Sequence, residues 1–122
     1  MQPPIFKLCA ADPAVTALLG TNPVRLFPFG EAPQGVAYPY AVWQVVGGSP
    51  ENYLADRPDV DGFTVQVDVY AKTGTGANNV AEVLRHAIEL DANITRWGGQ
   101  DKDPETDSYR ISFDVDWLVS RY

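Results

Sequence analysis

The side chains in this sequence that could do chemistry are few, and each lacks the companions its chemistry needs. His86 is the sole histidine, and no histidine or cysteine stands at zinc spacing from it and no triad pattern forms around it. It reads as a surface residue on the polar side of a helix. Lys72-Thr73-Gly74-Thr75-Gly76 precedes a helical pattern and raises the question of a phosphate cradle. The Walker order of glycines followed by Lys-Ser/Thr is missing, however, and Asn79 takes the place of a dinucleotide fingerprint's third glycine. A strand-to-helix turn is the better reading. Asp101, Asp103, Glu105 and Asp107 fall on the odd positions of a calcium loop. Thr106 stands where that loop needs glycine and Ser112 where it needs a bidentate glutamate, which leaves a solvated turn. Asp68, Asp114 and Asp116 are the carboxylates that could pair as general acid and base, but they occupy outward positions of alternating strands and read as a solvated or interface face. No enzyme, metal or cofactor site is specified by these residues.

The elements that position these residues follow from apolar spacing and turn chemistry. Asp12-Pro13 is a helix start, because the carboxylate accepts orphan amide hydrogens and proline lacks the one it would leave unpaired. Val15, Leu18 and Leu19 give that helix an apolar face and Gly20 ends it, so the first 20 residues form one broken helical segment. Arg25-Leu26-Phe27 is a brief strand stopped at Pro28, and Tyr40 to Val46 is predicted to be a central strand. Gly47 to Gly62 reads as a connection of about sixteen residues, longer than a compact domain usually carries. Phe63 to Ala71 alternates without a fault, with Phe63, Val65, Val67, Val69 and Ala71 facing one way and Thr64, Gln66, Asp68 and Tyr70 the other. Asn79 and Glu82 have capping-box spacing, and Val80, Val83, Leu84, Ala87 and Ile88 form one apolar stripe. Arg85 and Glu89 are spaced for an ion pair. Ile94 to Trp97 is a short strand, Asp101 to Asp107 a charged turn, and Tyr109 to Val119 a final alternating strand with Arg110, Ser112, Asp114 and Asp116 outward. The expected fold is α+β: a single, mostly antiparallel β-sheet with helices packed on one face, in one domain spanning residues 1–122.

Composition narrows the classes further. The chain has 122 residues, 45% hydrophobic, enough for an unaided core. No apolar stretch has membrane-spanning length, and one cysteine excludes an internal disulfide framework. Cys9 reads as a small buried apolar residue, because the apolar segment that lipoprotein processing would need before Leu8-Cys9 is missing. Asn93-Ile94-Thr95 matches a glycosylation acceptor but follows no secretory signal, so residence in a reducing cytoplasm is expected. A net charge of −7 argues against a DNA-gripping surface, which needs a basic stripe. The first 50 residues balance two acids (Asp12, Glu31) against two bases (Lys7, Arg25), so the whole excess lies in residues 51–122.

Pro4-Ile5-Phe6, Asp12-Pro13-Ala14-Val15 with Leu18-Leu19-Gly20, Phe27-Pro28-Phe29-Gly30, Ala32-Pro33-Gln34-Gly35, Pro39-Tyr40 and Val65-Gln66-Val67-Asp68-Val69-Tyr70-Ala71 follow one another in an order that resembles the tail completion family of long-tailed bacteriophages and prophages. The resemblance runs through nearly the whole chain, by pattern more than by motif in the carboxyl third. It implies a lambda-type tail terminator fold. It further implies a structural virion protein that assembles in the host bacterial cytoplasm as a hexameric ring on the head-proximal end of the tail tube. The ring would stop tube polymerisation and join the tail to the head and neck. The implied partners are other copies of the chain, the tail tube protein, and neck or head completion proteins, with DNA only in transit and no membrane.

A ring needs heterologous contacts, in which one patch meets a different patch on the neighbour. Within the long connection, Tyr53 and Leu54 ringed by Asp56, Arg57 and Asp59 form the candidate interface. A channel that passes DNA should repel phosphates, and Asp68, Asp114 and Asp116 are the candidates for its lining. Two alternatives belong to other classes: another neck adaptor or minor tail component, and a small cytoplasmic enzyme that would need a pocket grouping Asp68, Asp114 or His86.

Overall fold

A computed structural model describes residues 4–51, 60–104 and 107–120. Helices α1 (Ile5–Ala10) and α2 (Pro13–Leu19) are followed by strands β1 (Leu26–Pro28), β2 (Tyr40–Glu51) and β3 (Val60–Ala71). Helix α3 (Gly74–Ile88) and strands β4 (Asn93–Lys102) and β5 (Tyr109–Ser120) complete the chain. The five strands form one sheet in the order β1-β2-β3-β5-β4, with β1 parallel to β2 and every other pairing antiparallel. The α+β architecture expected from the sequence is therefore present.

The break between α1 and α2 has its physical cause in Asp12. Its carboxylate accepts the Ala14 amide at 2.9 Å while Pro13 takes the first helical position. Gly20 ends α2 at φ +83, in the left-handed region where a side chain would be strained. Arg25 then ties the segment down, donating Nε to the Pro39 carbonyl at 2.8 Å and Nη2 to the Leu18 carbonyl at 3.1 Å. One helix-end acceptor is thereby satisfied.

The core lies between the helices and one sheet face. Val65, Val67 and Val69 of β3, Ile111, Phe113, Val115 and Trp117 of β5, and Val80, Leu84, Ala87 and Ile88 of α3 are buried together. Each fully buried aliphatic side chain contributes roughly 1.5–3 kcal/mol. Ile5, Cys9, Val15 and Leu19 close the same core from α1 and α2. Trp117 is anchored by its indole N–H, which donates to Asp91 Oδ2 at 3.1 Å.

Four boundaries differ from the sequence reading. The residues read as the ends of a long connection, Gly47 to Glu51 and Val60 to Gly62, belong to a hairpin paired as far as Glu51 and Val60. Glycine and proline in that stretch suggested a loop, but the ladder continues past a register shift between Val45 and Gly47. The centre of the sheet is β3, with β2 between it and the short edge strand β1. Helix α3 begins at Gly74, not after Asn79, because the Thr73 hydroxyl caps it by accepting the Gly76 amide at 2.9 Å. Strand β4 runs beyond Trp97 to Lys102, interrupted by register shifts at Ile94/Arg96 and Trp97/Gln100 that hid its alternation. The side chain of Val119 and all of Tyr53, Leu54, Asp56, Arg57, Asp59, Glu105 and Thr106 lie outside the described residues.

Candidate functional site

Alternation in β3 and β5 places a polar set on the sheet face opposite the helices. Pairing sets these residues in rows across the strands. Tyr40 faces Tyr70, which faces Arg110, which faces Asp101; Val42 faces Asp68, which faces Ser112. In the next rows Gln44 faces Gln66, then Asp114, then Arg96, and Thr64 faces Asp116, then Asn93. The three acids singled out from the sequence, Asp68, Asp114 and Asp116, thus share one face in consecutive rows.

Each of the three accepts hydrogen bonds. Gln66 Nε2 donates to both oxygens of Asp68, at 3.2 and 3.3 Å. Thr64 Oγ1 donates to Asp116 at 3.0 Å. Arg96 grips Asp114 through Nε at 2.9 Å and Nη2 at 3.3 Å, and this bidentate contact raises the guanidinium pKa. Asp68 is 8% exposed, Asp114 is intermediate and Asp116 is exposed, so the acids are graded from floor to surface. Such an arrangement presents fixed negative charge on a rigid support.

An aromatic cluster closes one end of the face. Tyr40 and Tyr70 stack with ring centroids 5.0 Å apart, Tyr38 tilts against Tyr40 at 5.4 Å, and Lys72 Nζ lies 4.4 Å from the Tyr38 ring centre. Burial pushes both the Tyr40 and Tyr70 hydroxyls up from their ordinary pKa, with the neighbouring Asp68 charge adding to the shift at Tyr70. Tyr70 and Arg110 also line a recess of about 320 Å3 with Asp101, Lys102 and Asp103.

His86 is exposed on α3, in the layer on the other side of the sheet, so the structure does not bring it together with Asp68 or Asp114. The stretch from Lys72 to Gly76 is the strand-to-helix turn expected, and the Thr73 hydroxyl caps α3 by accepting the Gly76 amide. Of the residues on calcium-loop spacing, Asp107 meets Lys102 Nζ at 2.9 Å. Among the described residues, no group of three His, Cys, Asp or Glu side chains is placed to hold a metal ion.

The family model for tail completion protein gp17 matches residues 3–120. The chain belongs to the tail completion protein family. It is accordingly a structural component of the phage virion tail. A solved chain from the virion of a native gene transfer agent particle has the same fold, with a TM-score of 0.71 at 17% identity, covering 95% of this chain and 91% of that one. No curated protein matches the chain. No described helix is long and apolar enough to cross a membrane.

Two exposed apolar surfaces were not expected from the sequence. Phe29, Val45 and Val46 are exposed along the β1–β2 side of the sheet. Leu90, an apolar residue just past the buried stripe of α3, is 79% exposed beside Pro4 and Leu8. No local pattern marked them: Leu90 continues the spacing of Val83 and Ala87, and Val45 pairs with the core-facing Val65.

Proposed function

We propose that this protein is a tail terminator. Six copies close into a ring on the head-proximal end of the tail tube, stop its polymerisation, and present the surface to which the neck and head completion proteins attach. Its partners are copies of itself, the tube protein and those neck proteins. DNA crosses the ring only in transit, and the protein works through surfaces without making or breaking a bond. All 122 residues act as one terminator unit.

The observation that carries this reading is the two-sided sheet. Its own helices cover one face, while the other carries a hydrogen-bonded polar lattice containing Asp68, Asp114 and Asp116. A lumen lined by fixed carboxylates repels the phosphates that pass through it, where cationic walls would retain them. We assign these three acids to the lumen, and assign Tyr53, Leu54, Asp56, Arg57 and Asp59 to contacts with a neighbour or the tube. The paired part of the β2–β3 hairpin ends at Glu51 and Val60, next to those residues.

Tails assembled without the protein test the proposal. Their tubes should exceed the normal length and fail to join heads, and added protein should restore both. Normal tube length combined with binding to portal rings would indicate a neck adaptor instead.

A further inference from the structure

The sheet has two open edges, and they lie at opposite ends of the strand order. At one end β4 (Asn93–Lys102) pairs only with β5, so its outer side meets no described strand. At the other end β1 covers β2 only at Ala41, Val42 and Trp43. The Phe29 amide adds one bond to the Trp43 carbonyl at 2.9 Å, and over residues 44–51 no described strand pairs with β2 on that side. An open edge is a row of unpaired N–H and C=O groups that acts as a template for another strand. Each edge also carries a part-exposed apolar side chain on the helix-bearing face of the sheet. Trp97 pairs with buried Phe113 and is 38% exposed, and Val45 pairs with buried Val65 and is 43% exposed.

The four long strands β2, β3, β5 and β4 alternate in direction. Because their number is even, β4 of one copy runs antiparallel to β2 of a neighbour generated by rotation, and the polar faces of the two sheets fall on the same side. The two edges are also staggered. Through the ladders, β4 lies level with residues 64–71 of β3, whereas residues 44–51 of β2 lie level with residues 60–66. Their centres are about 15 Å apart along the strands, at about 3.3 Å per residue, and about 19 Å apart across four strand spacings. That is a slope of about 38°, inside the roughly 35–45° strand tilt at which a sheet closes into a barrel. Rotation about an axis inclined to the strands by that angle brings the two edges level.

We infer that the outer edge of β4 in one copy pairs antiparallel with residues 44–51 of β2 in the next, so that the sheets of the ring join into one closed barrel with the polar face inside. The inference rests on the ring reading and names the contact that closes the ring. A closed ring needs two different, complementary edges on one subunit, and this sheet carries them. The occupant of each edge is a second copy of this chain because strand direction and stagger are both properties of this one sheet, and a single rotation satisfies both. Trp97 of one copy and Val45 of the next then lie on the same face of the seam. Six subunits of four strands exceed the roughly 16–18 strands at which a barrel already encloses an aqueous channel.

Two measurements on the full-length protein test this seam. Hydrogen exchange compares the free monomer with rings on tail tubes, and amides of residues 44–51 and 93–102 should exchange about tenfold more slowly in the ring. The second measurement is a cross-link. Val45 is exposed and a Cβ at Gly99 meets open space, so Val45→Cys and Gly99→Cys fit the folded chain, while buried Cys9 stays unreacted. Rings of the double variant treated with a short bis-maleimide should give a denaturing-gel ladder reaching six chains, and rings of either single variant should give monomers. Rings that show no added protection in these segments, no ladder, or cross-links in a single variant would overturn the seam and leave the ring reading standing. Absence of any wild-type ring would overturn both.

Discussion

Arg96 and Asp114 meet across the β4–β5 ladder in a bidentate contact, Nε to Oδ2 at 2.9 Å and Nη2 to Oδ1 at 3.3 Å. The pair sits in the row next to Asp116 and Thr64 and on the same face as Asp68. Arg96 is therefore committed to one carboxylate, and the Thr64 and Gln66 contacts of Asp116 and Asp68 are neutral ones. The face keeps an acidic balance although Arg96 and Arg110 stand in it, because Asp68, Asp101, Asp114 and Asp116 share the same rows.

Reversing the exposed acid should impair DNA passage. With Asp116→Lys, six added cations would line the proposed lumen, and DNA release from intact particles should slow, more so at low ionic strength. Arg96→Gln makes the same face more acidic and should leave release unchanged. Release kinetics followed with a DNA-binding dye check both, and equal behaviour of the two variants would remove these acids from the lumen.

The Trp117–Asp91 hydrogen bond should be measurable as stability. Trp117 is 1% exposed, so Asp91→Ala leaves a buried indole N–H unsatisfied at a cost of about 1–3 kcal/mol. Urea unfolding followed by tryptophan fluorescence reads this as a lower midpoint with an unchanged slope.

Gly98 is a position where only glycine fits. A Cβ there would collide with the Ser112 carbonyl oxygen on the neighbouring strand, inside the register shift between Trp97 and Gln100. Gly98→Ala should destabilise the protein by about 1–3 kcal/mol as β4 is pushed away from β5. Gly99→Ala, where a Cβ meets open space, is the control and should unfold close to wild type.

The Cys9 thiol should be inert in the native protein. Burial, assisted by the Asp12 charge, pushes its pKa from 9.0 up to about 12. The unfolded chain ionises first, so this thiol's stabilising contribution is complete below pH 9 and declines as pH rises from 9 towards 12. Ellman's reagent at pH 8 should label the native protein far more slowly than the denatured one, and equal rates would contradict the burial of Cys9.

What the sequence made legible was whatever repeats with a regular period. Phe63 to Ala71 and Tyr109 to Trp117 alternate cleanly, and in the structure they are the central strand and one of its two neighbours; the α3 stripe of Val80, Leu84, Ala87 and Ile88 packs against them. That regularity also brought Asp68, Asp114 and Asp116 onto one face. Features created by pairing alone stayed hidden. Arg96 reaches Asp114 only because β5 inserts between β3 and β4, and the β4 register shifts break the alternation that would have marked its face. The β2–β3 hairpin was masked by glycine and proline at positions where cross-strand partners outweigh local preference. The groove beside Leu90 joins α1 to a turn more than 75 residues later, a proximity no local pattern encodes.

The most direct test of the terminator reading is the copy number and position of the protein on assembled tails. Cryo-electron microscopy of purified tails, with native mass spectrometry of the protein alone, should find a closed ring of six subunits confined to the head-proximal tube end. A stable dimer under all conditions, or subunits placed elsewhere on the tail, would contradict it.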